Sequence, residues 1–166
     1  MQSKAFMSEQ HVHASRYALH PKTGTVLAFD FGTKRIGVAV GDLLLRIAHP
    51  LTMLQATQNE QRFNAIAALI KEWQPVFLVI GLPAYMDGSE HEMSRLCRRF
   101  ALRLEQRFKL RTVLVDERLS SHAAELSLAD SGARRIKTFV DQVAAQHILQ
   151  SFFDEFETSR RRAAGF

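Results

Sequence analysis

Several kinds of protein are excluded by what the chain has little of. It carries one cysteine, Cys97, in 166 residues. A single thiol rules out an intrachain disulfide and any cysteine-based zinc site, and Cys97 is expected to be a small, partly buried helix residue. No run approaches the roughly 18 apolar residues of a membrane span. The longest, near Val76 to Ile80, lies between Pro75 and Gly81 and reads as a strand. Met1 to Lys22 has no compact apolar core followed by a small-residue cleavage site, so no signal peptide is expected and a cytoplasmic location follows. Internal repeats and linkers are missing as well, which leaves one domain.

Positive charge is in excess: 22 Lys and Arg against 17 Asp and Glu give a net charge of +5. That balance favours polyanions over acidic partners. The cations are clustered. Arg95, Arg98, Arg99, Arg103, Arg107, Lys109 and Arg111 crowd one segment; Arg134, Arg135 and Lys137 crowd a second; Arg160, Arg161 and Arg162 form a third. A solvated helix face explains any one of them. Phosphate contact becomes the better reading when clusters flank one chemical site.

Hydrophobic spacing divides the chain into an N-terminal extension (1–23), a domain (24–157) and a basic C-terminal tail (158–166). Val26 to Phe31 is almost continuously apolar, as in a strand covered on both faces. Gly32-Thr33-Lys34 turns the chain into a second strand, Arg35 to Gly41. A third runs from about Arg46 to Leu54, with Pro50 marking an edge or a bulge. Asn59 to Trp73 has helical spacing, with Phe63, Ile66, Ala67 and Ile70 on one face. Val76 to Ile80 follows as a strand, Glu90 to Phe108 as a basic amphipathic helix, and Arg111 to Val115 as a fifth strand. Ser121 to Ser131 reads as a short helix and Thr138 to Phe156 as the last one. Right-handed crossovers then give an α/β fold, a mixed five-stranded sheet in the order 3-2-1-4-5 with helices on both faces. Sites in such sheets lie at the switch point, beyond the carboxyl ends of the parallel strands. Asp30, Gly81 and Asp116-Glu117 fall there.

The acids at that edge suggest chemistry. A carboxylate at the end of a central apolar strand costs several kcal/mol unless it is paired or metal-bound, which singles out Asp30. The alternative is a hydrogen bond to the Gly32-Thr33 turn. Alternation sends Asp116 and Glu117 to opposite sides, so only one faces the site. Thr138-Phe139-Val140-Asp141 fits a capping box with Thr138 as N-cap, and small Ala144 and Ala145 would let that helix lie close to the sheet. Carboxylates from strand one, strand five and the last helix could hold one or two Mg²⁺ ions for an in-line phosphoryl displacement.

Four stretches in order carry a resemblance. They are Leu27 to Gly41, which includes Asp30-Phe31-Gly32-Thr33-Lys34-Arg35-Ile36-Gly37; Val79-Ile80-Gly81-Leu82-Pro83 with Met86-Asp87-Gly88-Ser89; Asp116-Glu117-Arg118-Leu119-Ser120; and Val140-Asp141 with Ala144-Ala145 and Ile148-Leu149. Together they resemble the YqgF family of pre-16S rRNA nucleases and Holliday-junction-resolvase-like proteins, over Thr25 to about Glu155. The resemblance implies an RNase H-like fold and a carboxylate site at Asp30, Glu117 and Asp141, favouring Glu117 over Asp116. It implies a hydrolase, a nuclease dependent on Mg²⁺ or Mn²⁺. Pre-16S rRNA in the small ribosomal subunit is the expected substrate, and a DNA junction the alternative. Lys34, Arg35, Arg95, Arg98, Arg99, Arg118, Arg134, Arg135 and Lys137 are the expected nucleic-acid contacts. Gln142 and the Arg134-Arg135-Ile136-Lys137 segment depart from the family's usual residues, as does the extension before Gly24. No heptad seam or exposed apolar helix asks for a dimer, so a monomer is expected; the Phe152, Phe153 and Phe156 cluster is the one feature that could support a dimer, and it reads better as core. Two other readings compete: an actin-like ATP-binding domain, which would need a second such domain, and a non-catalytic ribosome-assembly factor.

Overall fold

The computed structural model describes residues 21–55, 57–83, 91–117 and 133–165, with side chains in the last span from 139 onward. Its elements are β1 (Thr25–Phe31), β2 (Arg35–Asp42), β3 (Ala48–Gln55), α1 (Asn59–Trp73), β4 (Phe77–Leu82), α2 (Glu92–Phe108), β5 (Thr112–Asp116) and α3 (Ala133–Ala163). The five strands form one sheet in the order β3-β2-β1-β4-β5. β1 pairs antiparallel with β2 and parallel with β4, so the sheet changes direction beside β1. The register sets Asp30 opposite Gly37.

Alternation along the central strands builds two apolar layers. Val26 and Ala28 of β1 join Phe77, Val79 and Val115 against Ile148, Leu149, Phe152, Phe153 and Phe156 of α3. Leu27 and Phe29 face the other way, onto Phe63 and Ile66 of α1 and Cys97, Phe100 and Leu104 of α2. A strand apolar at every position is what two covered faces require. Phe152, Phe153 and Phe156 of α3 are fully buried, with Phe152 against Phe77 at 5.3 Å and against Phe156 at 5.8 Å, while Phe139 near the start of the helix is exposed. The three buried rings are core, as their spacing suggests.

β3 is an edge strand, and both readings of Pro50 apply. Its ladder with β2 shifts register between Val38 and Ala39, beside the proline. α3 covers part of that edge with amide side chains. Gln150 accepts from the Ala48 amide at 3.1 Å and donates to the Arg46 carbonyl at 3.1 Å, while Gln146 donates to the Ala48 carbonyl at 3.0 Å. Gln150→Ala should therefore cost about 1–2 kcal/mol, because it strips backbone groups of their partners. Chemical denaturation measures this; an unchanged midpoint would mean that water replaces the amide fully.

Two expectations about the last helix need correction. α3 starts at Ala133 and not at Thr138, so Thr138 is no N-cap and Asp141 lies more than two turns inside the helix. Ala133, Arg134, Arg135 and Lys137 are strong helix formers with no glycine or proline before Thr138, so propagation passes through the cap signal. The Arg134-Arg135-Lys137 segment is accordingly helical. α3 also runs on to Ala163, so Arg160, Arg161 and Arg162 occupy its last turn, where the sequence suggested a tail. Among the described residues no helix is long and apolar enough to cross a membrane. The N-terminal extension to residue 20 and the helix expected over Ser121 to Ser131 lie outside the described residues.

Candidate active site at the sheet switch point

Asp30 lies near the end of β1, one residue past Phe29, and alternation turns it toward the α3 face. The same rule acts on β5. Val113 and Val115 pack on the α3 side, so Glu117 comes to that side too, while Asp116 is exposed. The Glu117 amide donates to the Leu82 carbonyl at 3.1 Å, which extends the β4–β5 pairing by one residue. Its carboxylate lies over Gly81, where a Cβ would overlap it and the Ile148 side chain. Asp141 arrives from α3. That helix passes so close to β2 that a Cβ on Gly37 would overlap the Asp141 backbone carbonyl.

Asp30 and Glu117 share a hydrogen bond. Burial pushes the Asp30 carboxyl up to about 8, and the nearby charges of Glu117 and Asp141 add to the rise. Burial also raises Glu117, but its hydrogen bond with Asp30 works in the opposite direction. Both carboxyls are raised, and the pair is held together by a shared proton. Asp141 is answered differently: Arg35 Nε lies 3.2 Å from its Oδ2. The Cys97 thiol beneath is pushed up to about 12, by burial first and then by Glu117 and Asp30, which leaves it a neutral core group.

A cavity of about 740 Å³ opens over this edge. Asp30 and Asp141 are on its wall with Lys34, Arg35, Thr33 and Gln61, whereas Glu117 contacts the site through Asp30. Among the described residues, no three histidines, cysteines or acids close into a ready-made metal cage. The donor set still suits a hard cation. Mg²⁺ is commonly held by one or two carboxylates and keeps several waters, and two oxygen ligands forced to share a proton are what a divalent ion would relieve. Asp30 and Glu117 supply that pair. Asp141 is near enough to be felt electrostatically, with its carboxylate turned to Arg35.

A family model described as RuvX, Holliday junction resolvase, matches residues 24–155. The chain belongs to this family. A relative from Methylobacillus flagellatus is 61% identical over 133 residues, 79% of this chain and 91% of the relative. One from Nitrosospira multiformis is 54% identical over 140 residues, covering 83% and 93%. Both are named "Putative pre-16S rRNA nuclease". In fold, the RuvX chain is similar to the yeast mitochondrial Holliday junction resolvase, with a TM-score of 0.55 and 10% identity over 92% of this chain and 88% of that one. The YqgF resemblance and the RNase H-like sheet read from the sequence agree with these findings.

Of the expected phosphate contacts, Lys34 and Arg35 line the acid cavity of this RuvX protein. Arg95, Arg98 and Arg99 are exposed on α2. Arg118 and the side chains of Arg134, Arg135 and Lys137 lie outside the described residues. Sequence reasoning placed Gly81 at this edge but gave neither it nor Gly37 a role; their lack of a side chain admits Glu117 and Asp141 respectively. It also missed Arg62, which is buried in α1, donates to the Thr33 carbonyl at 2.6 Å and stands 5.5 Å from the Phe31 ring centre. A cation at the buried edge of an apolar stripe, next to Phe63 and one turn from Ile66, was the available signal.

Proposed function

We propose that this chain is a divalent-metal-dependent endonuclease that hydrolyses phosphodiester bonds in pre-16S rRNA during maturation of the small ribosomal subunit. The observation that carries the reading is the Asp30–Glu117 carboxyl pair, held at the switch point beneath a cavity rimmed by Lys34 and Arg35. Names of close relatives supply the RNA substrate.

Asp30 and Glu117 would hold the ion, with Asp141 joining when its carboxylate leaves Arg35. Bound there, one or two Mg²⁺ or Mn²⁺ ions would offset the negative charge of the phosphodiester and polarise the attacking water. For this, Asp30 must release its proton to solvent, so loading is favoured as pH rises toward 8. Lys34 offers the incoming phosphate a cation at the rim. Arg35, once parted from Asp141, offers a second, and its planar fork suits a phosphate's paired oxygens.

The test is cleavage of precursor rRNA in small-subunit particles and of synthetic four-way DNA junctions, each with Mg²⁺ or Mn²⁺. Sedimentation fixes the oligomeric state. The proposal expects a monomer that cuts the rRNA. Symmetric paired nicking of junctions by a stable dimer, with no action on the rRNA, would overturn it in favour of a resolvase, the reading that the family's own description favours. Asp116→Asn should stay within about twofold of the parent, since Asp116 is exposed on the other side of β5. A loss equal to that of Glu117→Gln would show that the wrong acid had been assigned.

A further inference from the structure

The acid cavity continues past the acids. Phe31, Thr33 and Thr57 line it and also line a second cavity of about 310 Å³ on the α1/α2 face, walled by Arg62, Arg99 and Arg103. That one shares Asn59, Phe63 and Arg103 with a third, of about 590 Å³, which reaches Gln106 and Arg107. Shared walls make the three a single groove, running from the sheet edge along the seam between α1 and α2.

The lining has two characters. Arg99, Arg103 and Arg107 follow one another at four-residue spacing on α2, so their guanidiniums form a row on one face with steps of about 6 Å. The floor is aromatic, with the half-buried Phe31 ring at its surface and Phe63 and Phe100 buried beneath. Phe31 stacks on Phe100 at 4.6 Å, and Phe63 lies 6.2 Å from Phe100. Arg107 lies over the Phe63 ring at 5.2 Å, so the row is braced against the floor. Among the described residues no acid lines the second cavity, and Glu60 is the one acid lining the third. Arg62 stands where the groove meets the acid cavity, buried, and tied to the β1–β2 turn through Thr33.

A cationic row beside an apolar floor is the arrangement that holds single-stranded nucleic acid without reading its sequence. In a duplex the base faces are stacked on one another, so only an unpaired strand can turn a base toward this floor. We propose that this groove binds the unpaired strand adjoining the phosphodiester at the acids, with Arg99, Arg103 and Arg107 on successive phosphates. Arg62 is a positioning residue that fixes the turn at the junction. The direction toward the acids rests on the nuclease reading above; the binding itself does not. Arg95 and Arg98, expected from sequence to contact nucleic acid beside Arg99, stand off this wall.

The experiment measures binding of labelled single-stranded RNA, single-stranded DNA and blunt duplex to the full chain in EDTA across a salt series. Arg99→Glu/Arg103→Glu and the milder Arg99→Gln/Arg103→Gln are compared with Arg95→Glu/Arg98→Glu, which matches the charge change of the first. The groove pair should lose about tenfold or more in single-strand affinity, and the salt slope should fall by about 1.4 for two phosphates. The control pair and the duplex should change far less. Loss on RNA alone, DNA alone or both supports the groove and tells which strand it takes. Equal losses in the two glutamate pairs, equal loss on duplex, or an unchanged slope overturns it. Cleavage separates the two proposals: strand binding through the groove with no cleavage of any substrate ends the nuclease reading, whereas cleavage with an unaltered KM in the groove pair ends this one.

Discussion

Asp30→Asn should all but remove cleavage in Mg²⁺ and, in EDTA at pH 8, make the protein more stable than its parent. The sign follows from the folded-state pKa. Asp30 is raised from 3.8 to about 8, so the folded chain keeps a proton that the unfolded chain gives up. The stability linked to that proton is fully present below about pH 4 and is lost as pH rises toward 8. Asparagine has no charge to develop, and its amide can still hydrogen-bond to Glu117. The two melting curves should therefore coincide near pH 4 and separate above it, with the variant higher. Mg²⁺ should reverse the order. At a hundred times its Kd a ligand adds about 2.7 kcal/mol, which is roughly 5–10 °C for a chain of this size, and the variant should gain almost none of it. Cleavage should fall about a hundredfold or more, since several kcal/mol of charge stabilisation depend on the ion. Thermal unfolding between pH 4 and 9, with Mg²⁺ and with EDTA, reads the stability terms without any substrate. A metal-free variant less stable than its parent at pH 8 would mean that the parent's Asp30 is well satisfied as an anion, and the site would lose its reason to bind a cation.

How far the site is legible in the sequence differs from residue to residue. Asp30 shows because an acid interrupts an otherwise apolar strand, and the period of two then decides its face. The same period separates Glu117 from Asp116, although it needs the register of Val113 and Val115 to say which one turns inward, and that comes from packing on α3. The start of α3 misleads. Thr138 and Asp141 have cap spacing, but nothing between Ala133 and Thr138 breaks a helix, so a local signal yields to propagation. The α1/α2 groove was half visible. Four-residue spacing of Arg99, Arg103 and Arg107 is in the sequence, but that α1 lies beside this row and Phe63 beneath it depends on how two separate helices settle on the sheet. Gly37 gives least away. Inside a strand a glycine reads as a bulge or a weak point, and the element that approaches it lies about a hundred residues later in the chain.

Gly37→Ala is accordingly expected to do more damage than one methyl suggests. The added Cβ would overlap the Asp141 carbonyl carbon and oxygen, which are helix backbone and cannot rotate aside as a side-chain tip can. Either β2 or α3 must move. β2 is held on both sides, by β1 and by β3. α3 is held by Phe152, Phe153 and Phe156, all buried a few turns further on. The strain therefore concentrates at the start of the docked segment, where Asp141 faces Asp30. Overpacking of this kind costs about 1–3 kcal/mol, occasionally more. The backbone clash puts this case at the upper end, a fall of about 6–12 °C in Tm. Function should suffer beyond that loss, because displacing a positioned group by about 1 Å can cost a hundredfold in rate. Assays well below the variant's Tm separate the two effects. Gly81→Ala is the companion, since its Cβ would meet the Glu117 carboxylate and the Ile148 side chain, groups that can swing away. It should weaken Mg²⁺-dependent stabilisation while costing less stability than Gly37→Ala. A Gly37→Ala protein with parental Tm and parental cleavage would show that α3 does not lie against β2 at this point, and the placement of Asp141 beside Asp30 would fall with it.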